Sequence, residues 1–187
     1  MVLKKSVSFF KKWDSYVQIP EWMRISGKEV ESLLLGLGLK KGAKVLDVGC
    51  GYGRISVFLK EKGFAVTAVD NSEKMVEFAK GKFKCLLMNA EKLDFPANSF
   101  DLVLTDGLLE HVENPEKILS EEFRVSKKFV VNFIPTASLF NKIMEIPAGS
   151  PAVFWRKPEY WIEKHELFGR TEFKKLKRLA AFICEKK

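Results

Sequence analysis

The chain has 187 residues, 47% of them hydrophobic, and a formal net charge of +8. That is material for one domain with a full core and too little for two. No run approaches the roughly 18 consecutive apolar residues of a membrane span, and the opening MVLKKSVSFFKKWDSY interrupts its apolar residues with lysines, so the expectation is a cytoplasmic protein without a membrane partner.

Residues 1–40 read as helical, most clearly GKEVESLLLGLGLK (27–40), whose leucines are spaced to pack on a core. From Lys44 onward short β-type runs alternate with helical patterns. KVLDVG (44–49) is a predicted strand, RISVFLKEKG (54–63) a helix, AVTAVD (65–70) a strand, and SEKMVEFAKGK (72–82) a helix with Ser72 at its N-cap. Strands follow at KCLLMN (84–89), SFDLVLTD (99–106) and KKFVVNFI (127–134), with the helix NPEKILSEEFRV (114–125) before the last. Such alternation predicts a doubly wound α/β fold, a mainly parallel sheet with helices on both faces. KPEYWIEKHELFG (157–169) reads as a helix stopped by Gly169, and TEFKKLK and RLAAFICEK as an antiparallel pair closing a sheet edge.

The basic residues crowd near the two ends, including Lys4, Lys5, Lys11, Lys12, Lys174, Lys175, Lys177 and Arg178. A nucleic-acid partner is therefore possible. It is not favoured, because no arginine–aromatic recognition motif accompanies the charge. Cys50, Cys85 and Cys184 are far apart in sequence without CxxC spacing, and buried free thiols are expected. With only His111 and His165 as histidines, neither near a cysteine, no metal site is expected.

The first strand runs into DVGCGYGR (47–54). Three alternating glycines, Gly49, Gly51 and Gly53, let backbone come close to a ligand where an α/β sheet binds one. A dinucleotide fingerprint would need glycine at position 54, which is Arg54, and a GxxxxGK[ST] phosphate loop is absent. Asp47 just ahead is a poor neighbour for a pyrophosphate and a good one for an ammonium group. Asp70, ending the next strand, is placed to accept from both hydroxyls of a ribose. By itself it indicates an adenosine-like ligand and suits a nicotinamide cofactor equally well.

VLDVGCGYGR, VTAVD and NAEKLDFPANSFDLVLTDGLLEHVENP together resemble, in order and spacing, the motifs of class I S-adenosylmethionine-dependent methyltransferases. The resemblance covers about residues 40–135. It implies a seven-stranded Rossmann-like sheet with an antiparallel C-terminal strand and S-adenosyl-L-methionine as cofactor. It divides the single domain into an N-terminal helical extension or lid (1–40), a cofactor-binding core (41–135) and a substrate loop with C-terminal strands (136–187). Asp47 and the backbone of Gly49, Cys50, Gly51 and Gly53 would hold the methionine end. Asp70 would take the ribose hydroxyls with Asn71 and Ser72 beside it, and Asn89, Ala90 and Glu91 would meet the adenine. The backbone of Thr105, Asp106 and Gly107 would approach the ammonium and methyl groups, with Leu108 and Leu109 as pocket floor; Asp106 reads equally as a helix cap.

Methyl transfer requires no base, but His111, after the fourth strand, is the candidate catalytic residue for taking an acceptor's proton. Quinone-type relatives in the family carry a metal-assisting acid three positions before their Glu-His pair, where this chain has Gly107, so no metal is expected. The implied acceptor is a small molecule. RNA methylation and a non-catalytic S-adenosylmethionine-binding module stand as alternatives. The aromatic segment 134–161, with Phe140, Met144, Phe154, Trp155, Tyr160 and Trp161, reads either as a lid or as core packing, and Trp13, Tyr16 and Trp22 likewise.

Overall fold

The computed structural model describes residues 27–135, 154–176 and 179–187. Seven strands, β1 (Lys44–Val48), β2 (Ala65–Asp70), β3 (Lys84–Leu87), β4 (Phe100–Asp106), β5 (Ser126–Pro135), β6 (Gly169–Lys175) and β7 (Leu179–Lys186), form one sheet in the order β3-β2-β1-β4-β5-β7-β6. The first five are mutually parallel, and β7 runs antiparallel to both β5 and β6. The expected C-terminal pair therefore forms, with β7 inserted ahead of β6 so that β6 becomes the edge.

Parallel central strands are covered on both faces and so read as apolar runs. Accordingly Val45, Leu46 and Val48 of β1 are buried, as are Leu102, Val103 and Leu104 of β4. One face packs on α4 (Glu116–Val125) and α5 (Pro158–Glu166) through Ile118, Leu119, Phe123 and Trp161. The opposite face packs on α1 (Gly27–Gly36) and α2 (Arg54–Glu61) through Val30, Leu33, Leu34, Ile55 and Leu59. The helix α3 (Glu73–Ala79) follows β2. Helix α1 stops at Gly36 instead of running to residue 40.

One expectation near the C-terminus changes, and one open alternative is decided. Helix α5 ends at Glu166, and Gly169 does not stop it but opens β6. A Cβ on Gly169 would lie 2.1 Å from the Glu185 carbonyl oxygen and 2.8 Å from Cys184 Sγ, so this glycine is required by the closeness of β7. Trp161, counted among possible lid residues, is 1% exposed and belongs to the core. Trp13, Tyr16, Trp22, Phe140 and Met144 lie outside the described residues. Among the described residues no helix is long and apolar enough to cross a membrane.

Candidate cofactor site

In the sheet order, β1 connects to β2 on one side and β4 lies on the other, so a crevice opens at the carboxyl ends of β1 and β4. The turn 49–53 fills the mouth of this crevice between β1 and α2. All three glycines have positive φ, at 70°, 53° and 70°. Their surroundings differ. A Cβ on Gly53 would fall 1.9 Å from the Phe83 ring and one on Gly49 would fall 3.0 Å from Leu108, whereas nothing stands within 4 Å of the position on Gly51. Two of the three glycines thus answer to packing by the chain itself, and Gly51 alone faces open space.

The turn's amides are largely consumed internally. Gly49 and Cys50 N–H groups both donate to the Val69 carbonyl, at 2.8 and 3.1 Å, and Gly53 donates to the Cys50 carbonyl at 2.9 Å. The Gly51 N–H donates to Asp70 Oδ2 at 2.8 Å. Phosphate-binding turns need such amides free to meet an anion. This turn presents carboxylates instead, and the geometry disfavours a pyrophosphate independently of Arg54.

Asp47 is 2% exposed, and Ser56 Oγ on α2 donates to its Oδ2 at 2.6 Å. Burial pushes its carboxyl up to about 7; the Ser56 hydrogen bond opposes the rise, and Asp106 and Asp70 add to it. A cation beside Asp47 would restore the charged form. Asp70 ends β2 with its carboxylate fixed by two donors, Gly51 N–H on Oδ2 and Ser72 N–H on Oδ1 at 2.9 Å. A carboxylate oxygen accepts hydroxyl donors as well as amides. Asn71 is exposed next to it.

The chain after β3 returns to this spot, because Met88 N–H donates to the Asp70 carbonyl at 2.9 Å. Asn89 Oδ1 accepts the Glu91 N–H at 2.9 Å, folding Asn89, Ala90 and Glu91 into a tight turn just after the Met88–Asp70 contact. Asp106 terminates β4, and its Oδ2 receives Arg54 Nη2 at 2.7 Å, tying the end of β4 to the start of α2. Thr105 turns its hydroxyl away from the crevice into the core, 2.7 Å from Asn132 Nδ2, so only its backbone faces the site. Gly107 follows, its N–H on the Phe133 carbonyl. Leu108 packs on Gly49, while Leu109 is fully buried in the core and cannot line a pocket floor.

His111 closes a short 3₁₀ turn, Leu109–His111, with Nε2 3.9 Å from Glu110 Oε1. The segment beginning at Phe154 returns beside it, the Phe154 N–H donating to the Glu110 carbonyl at 2.7 Å.

Three groups escaped the sequence reading. Ser56, on the buried face of α2, anchors Asp47, and Arg54, at the start of α2, anchors Asp106. The third is a buried network behind β4: Asn132 on β5 donates to Thr105 Oγ1 and, at 2.9 Å, to Glu122 Oε2 of α4, and also meets His165 of α5. An asparagine inside the apolar run VVNFI was its visible signal. The cysteines also depart from expectation, since Cys50 and Cys85 are only half-buried and adjacent, and Cys184 alone is buried.

Comparison with known proteins agrees with this architecture. A family model described as "Methyltransferase domain" matches residues 46–130. The ubiquinone biosynthesis O-methyltransferase of Coxiella burnetii is 38% identical over 86 residues, 42% of this chain and 37% of that protein. The demethylmenaquinone methyltransferase of Tropheryma whipplei is 34% identical over 119 residues, 60% of this chain and 46% of that protein. The chain spans less than half the length of these two relatives. The solved structure of magnesium protoporphyrin IX methyltransferase from Synechocystis PCC 6803, with SAH bound, superposes with a TM-score of 0.71 at 17% identity, covering 95% of this chain and 94% of that one. Residues 46–130 thus match a methyltransferase-domain family, and the strand order is that of the Rossmann-like methyltransferase fold.

Proposed function

We propose that the protein is a cytoplasmic methyltransferase that binds S-adenosyl-L-methionine in this crevice and transfers its methyl group to a small-molecule acceptor. The observation that carries the reading is the pairing of Gly51 with Asp70: an uncovered backbone position beside a carboxylate held rigid by two amides. A ribose diol suits those two aimed oxygens, and the bare Gly51 leaves room for it. The residues present therefore fit the cofactor.

When bound, the cofactor supplies an electrophilic methyl on a sulfonium. The residues around it would position an acceptor against that methyl and exclude water, which is where most of the rate would come from. Asp47 ionises beside the ammonium group, and Ser56 keeps its carboxylate aimed. Asn89 and the Ala90 amide meet the adenine edge, and the backbone from Thr105 to Gly107 flanks the reacting centre. His111 takes the proton released when the acceptor is a hydroxyl or a protonated amine. Gly107 supplies no acid, and Asp106 is already neutralised by Arg54, so no metal step is assigned.

Calorimetric titration tests the reading. The full chain is expected to bind S-adenosylhomocysteine one to one and not to bind NADH, and to label an acceptor in the small-molecule fraction of a cell extract from radiolabelled S-adenosylmethionine. Preference for NADH, or label appearing only in RNA, would overturn it.

A further inference from the structure

Cys50 sits in the middle of the glycine turn and Cys85 on β3, yet their sulfurs are 3.6 Å apart. The backbone sets this proximity. The Cys50 N–H is held by the Val69 carbonyl of β2, and Cys85 stands in register with Ala68, the residue before Val69. Both side chains are half-buried against Ala68, Ala79 and Phe83, which gives a small molecule access to one side. We propose that Cys50 and Cys85 are a disulfide-forming pair, a modification site at which a low-molecular-weight disulfide cross-links the glycine turn to β3.

The two thiols differ in a way that orders the steps. The contact between the two sulfurs, in which either can donate, lowers the Cys85 thiol and, together with burial, raises Cys50. Cys85 is therefore the attacking thiolate. After losing its proton to solvent, Cys85 attacks one sulfur of glutathione disulfide, forming a mixed disulfide and expelling one glutathione thiolate, which takes up a proton. Cys50 then gives up its proton, its sulfur attacks Cys85 Sγ, and the second glutathione leaves and is protonated. Two electrons pass from the cysteine pair to the reagent, yielding one protein disulfide and two glutathione thiols.

A disulfide needs sulfurs about 2.05 Å apart, so they must close by about 1.5 Å. Cys50 lies between two glycines and is the more movable partner. Its displacement carries Gly51 away from Asp70 Oδ2, the contact that fixes the carboxylate proposed for the ribose. This consequence rests on the cofactor assignment above; the cross-link does not.

The test uses the full chain, reduced and then incubated with excess glutathione disulfide, and digested without reductant. The expected product is one linked peptide pair joining Cys50 to Cys85, lighter by two hydrogens and split by dithiothreitol, with Cys184 still a thiol inside the core. Cys85→Ser removes the linked pair. If all three cysteines stay reduced, or if Cys85 ends as a stable glutathione adduct with no linked peptide, the proposal is wrong. The linked form is further expected to bind S-adenosylhomocysteine at least tenfold more weakly than the reduced form, with recovery on reduction. Failure of the reduced chain to bind S-adenosylhomocysteine would count against the cofactor assignment alone, since the peptide map is read without ligand.

Discussion

Replacing Glu122 by glutamine should stabilise this protein increasingly as pH rises. Glu122 is fully buried on α4, its Oε2 accepts from Asn132, and its Oε1 has no hydrogen-bond partner among the described residues. Burial pushes its carboxyl from an ordinary value of 4.5 up to about 8, against the opposing Asn132 hydrogen bond. The folded chain therefore keeps this proton up to about pH 8, and the unfolded chain releases it above about 4.5. Between those limits the folded state binds more protons, so stability falls as pH rises through the window.

Each pH unit there costs about 1.4 kcal/mol, which sums to on the order of 4 kcal/mol by pH 8. Glutamine has the same shape and no proton to lose, and its amide stands where the protonated acid stood. The stability difference between Glu122→Gln and the parent should thus be near zero at pH 4.5 and grow to several kcal/mol by pH 8. Other titrations cancel in that difference. His165, lowered by burial to about 4, makes both proteins less stable as pH falls from 6.5 towards 4. Asp47, raised to about 7, makes both less stable as pH rises from 3.8 to 7. Urea denaturation followed by tryptophan fluorescence at one-unit pH steps measures the gap, with unchanged m-values confirming that the same transition is compared. Parallel curves across pH 5–8 would show that Glu122 is ionised in the fold and that the reasoning is wrong.

Gly53→Ala and Gly51→Ala should separate folding from binding. The first sets a Cβ into the Phe83 ring on a backbone of positive φ and should cost more than ~2 kcal/mol in urea denaturation. The second meets only open space and should cost ~1 kcal/mol of stability, yet lower S-adenosylhomocysteine affinity at least tenfold by calorimetry. Asp70→Ala should weaken the same ligand by about 2 kcal/mol, roughly 30-fold, through loss of charge-assisted hydrogen bonds. Gly169→Ala should destabilise by more than ~2 kcal/mol without altering ligand affinity, because its Cβ would strike the Glu185 carbonyl far from the crevice.

Which parts of this molecule could be read before its structure follows from the range of the forces involved. The β1–turn–α2 unit and the carboxylate ending β2 are legible because burial on both faces of a parallel strand, and helix amphipathicity, leave marks within ten residues. Pairing across the chain leaves no such mark. That β7 inserts between β5 and β6, that Phe83 presses on Gly53, and that Ser56 holds Asp47 each depend on residues brought together only by the finished sheet. The glycine turn shows the difference most sharply. Three bare positions in alternation look like three contacts with one ligand, yet Gly49 and Gly53 are filled by Leu108 and Phe83 of the same chain. A single uncovered glycine is weaker evidence for a ligand than three. What replaces the lost weight is Asp70, whose two oxygens are aimed by Gly51 and Ser72 at a point outside the strand ends. Both oxygens accept from backbone amides, which an asparagine could match at one atom only, and the same pair of acceptors is what a ligand with hydroxyl groups to donate would meet.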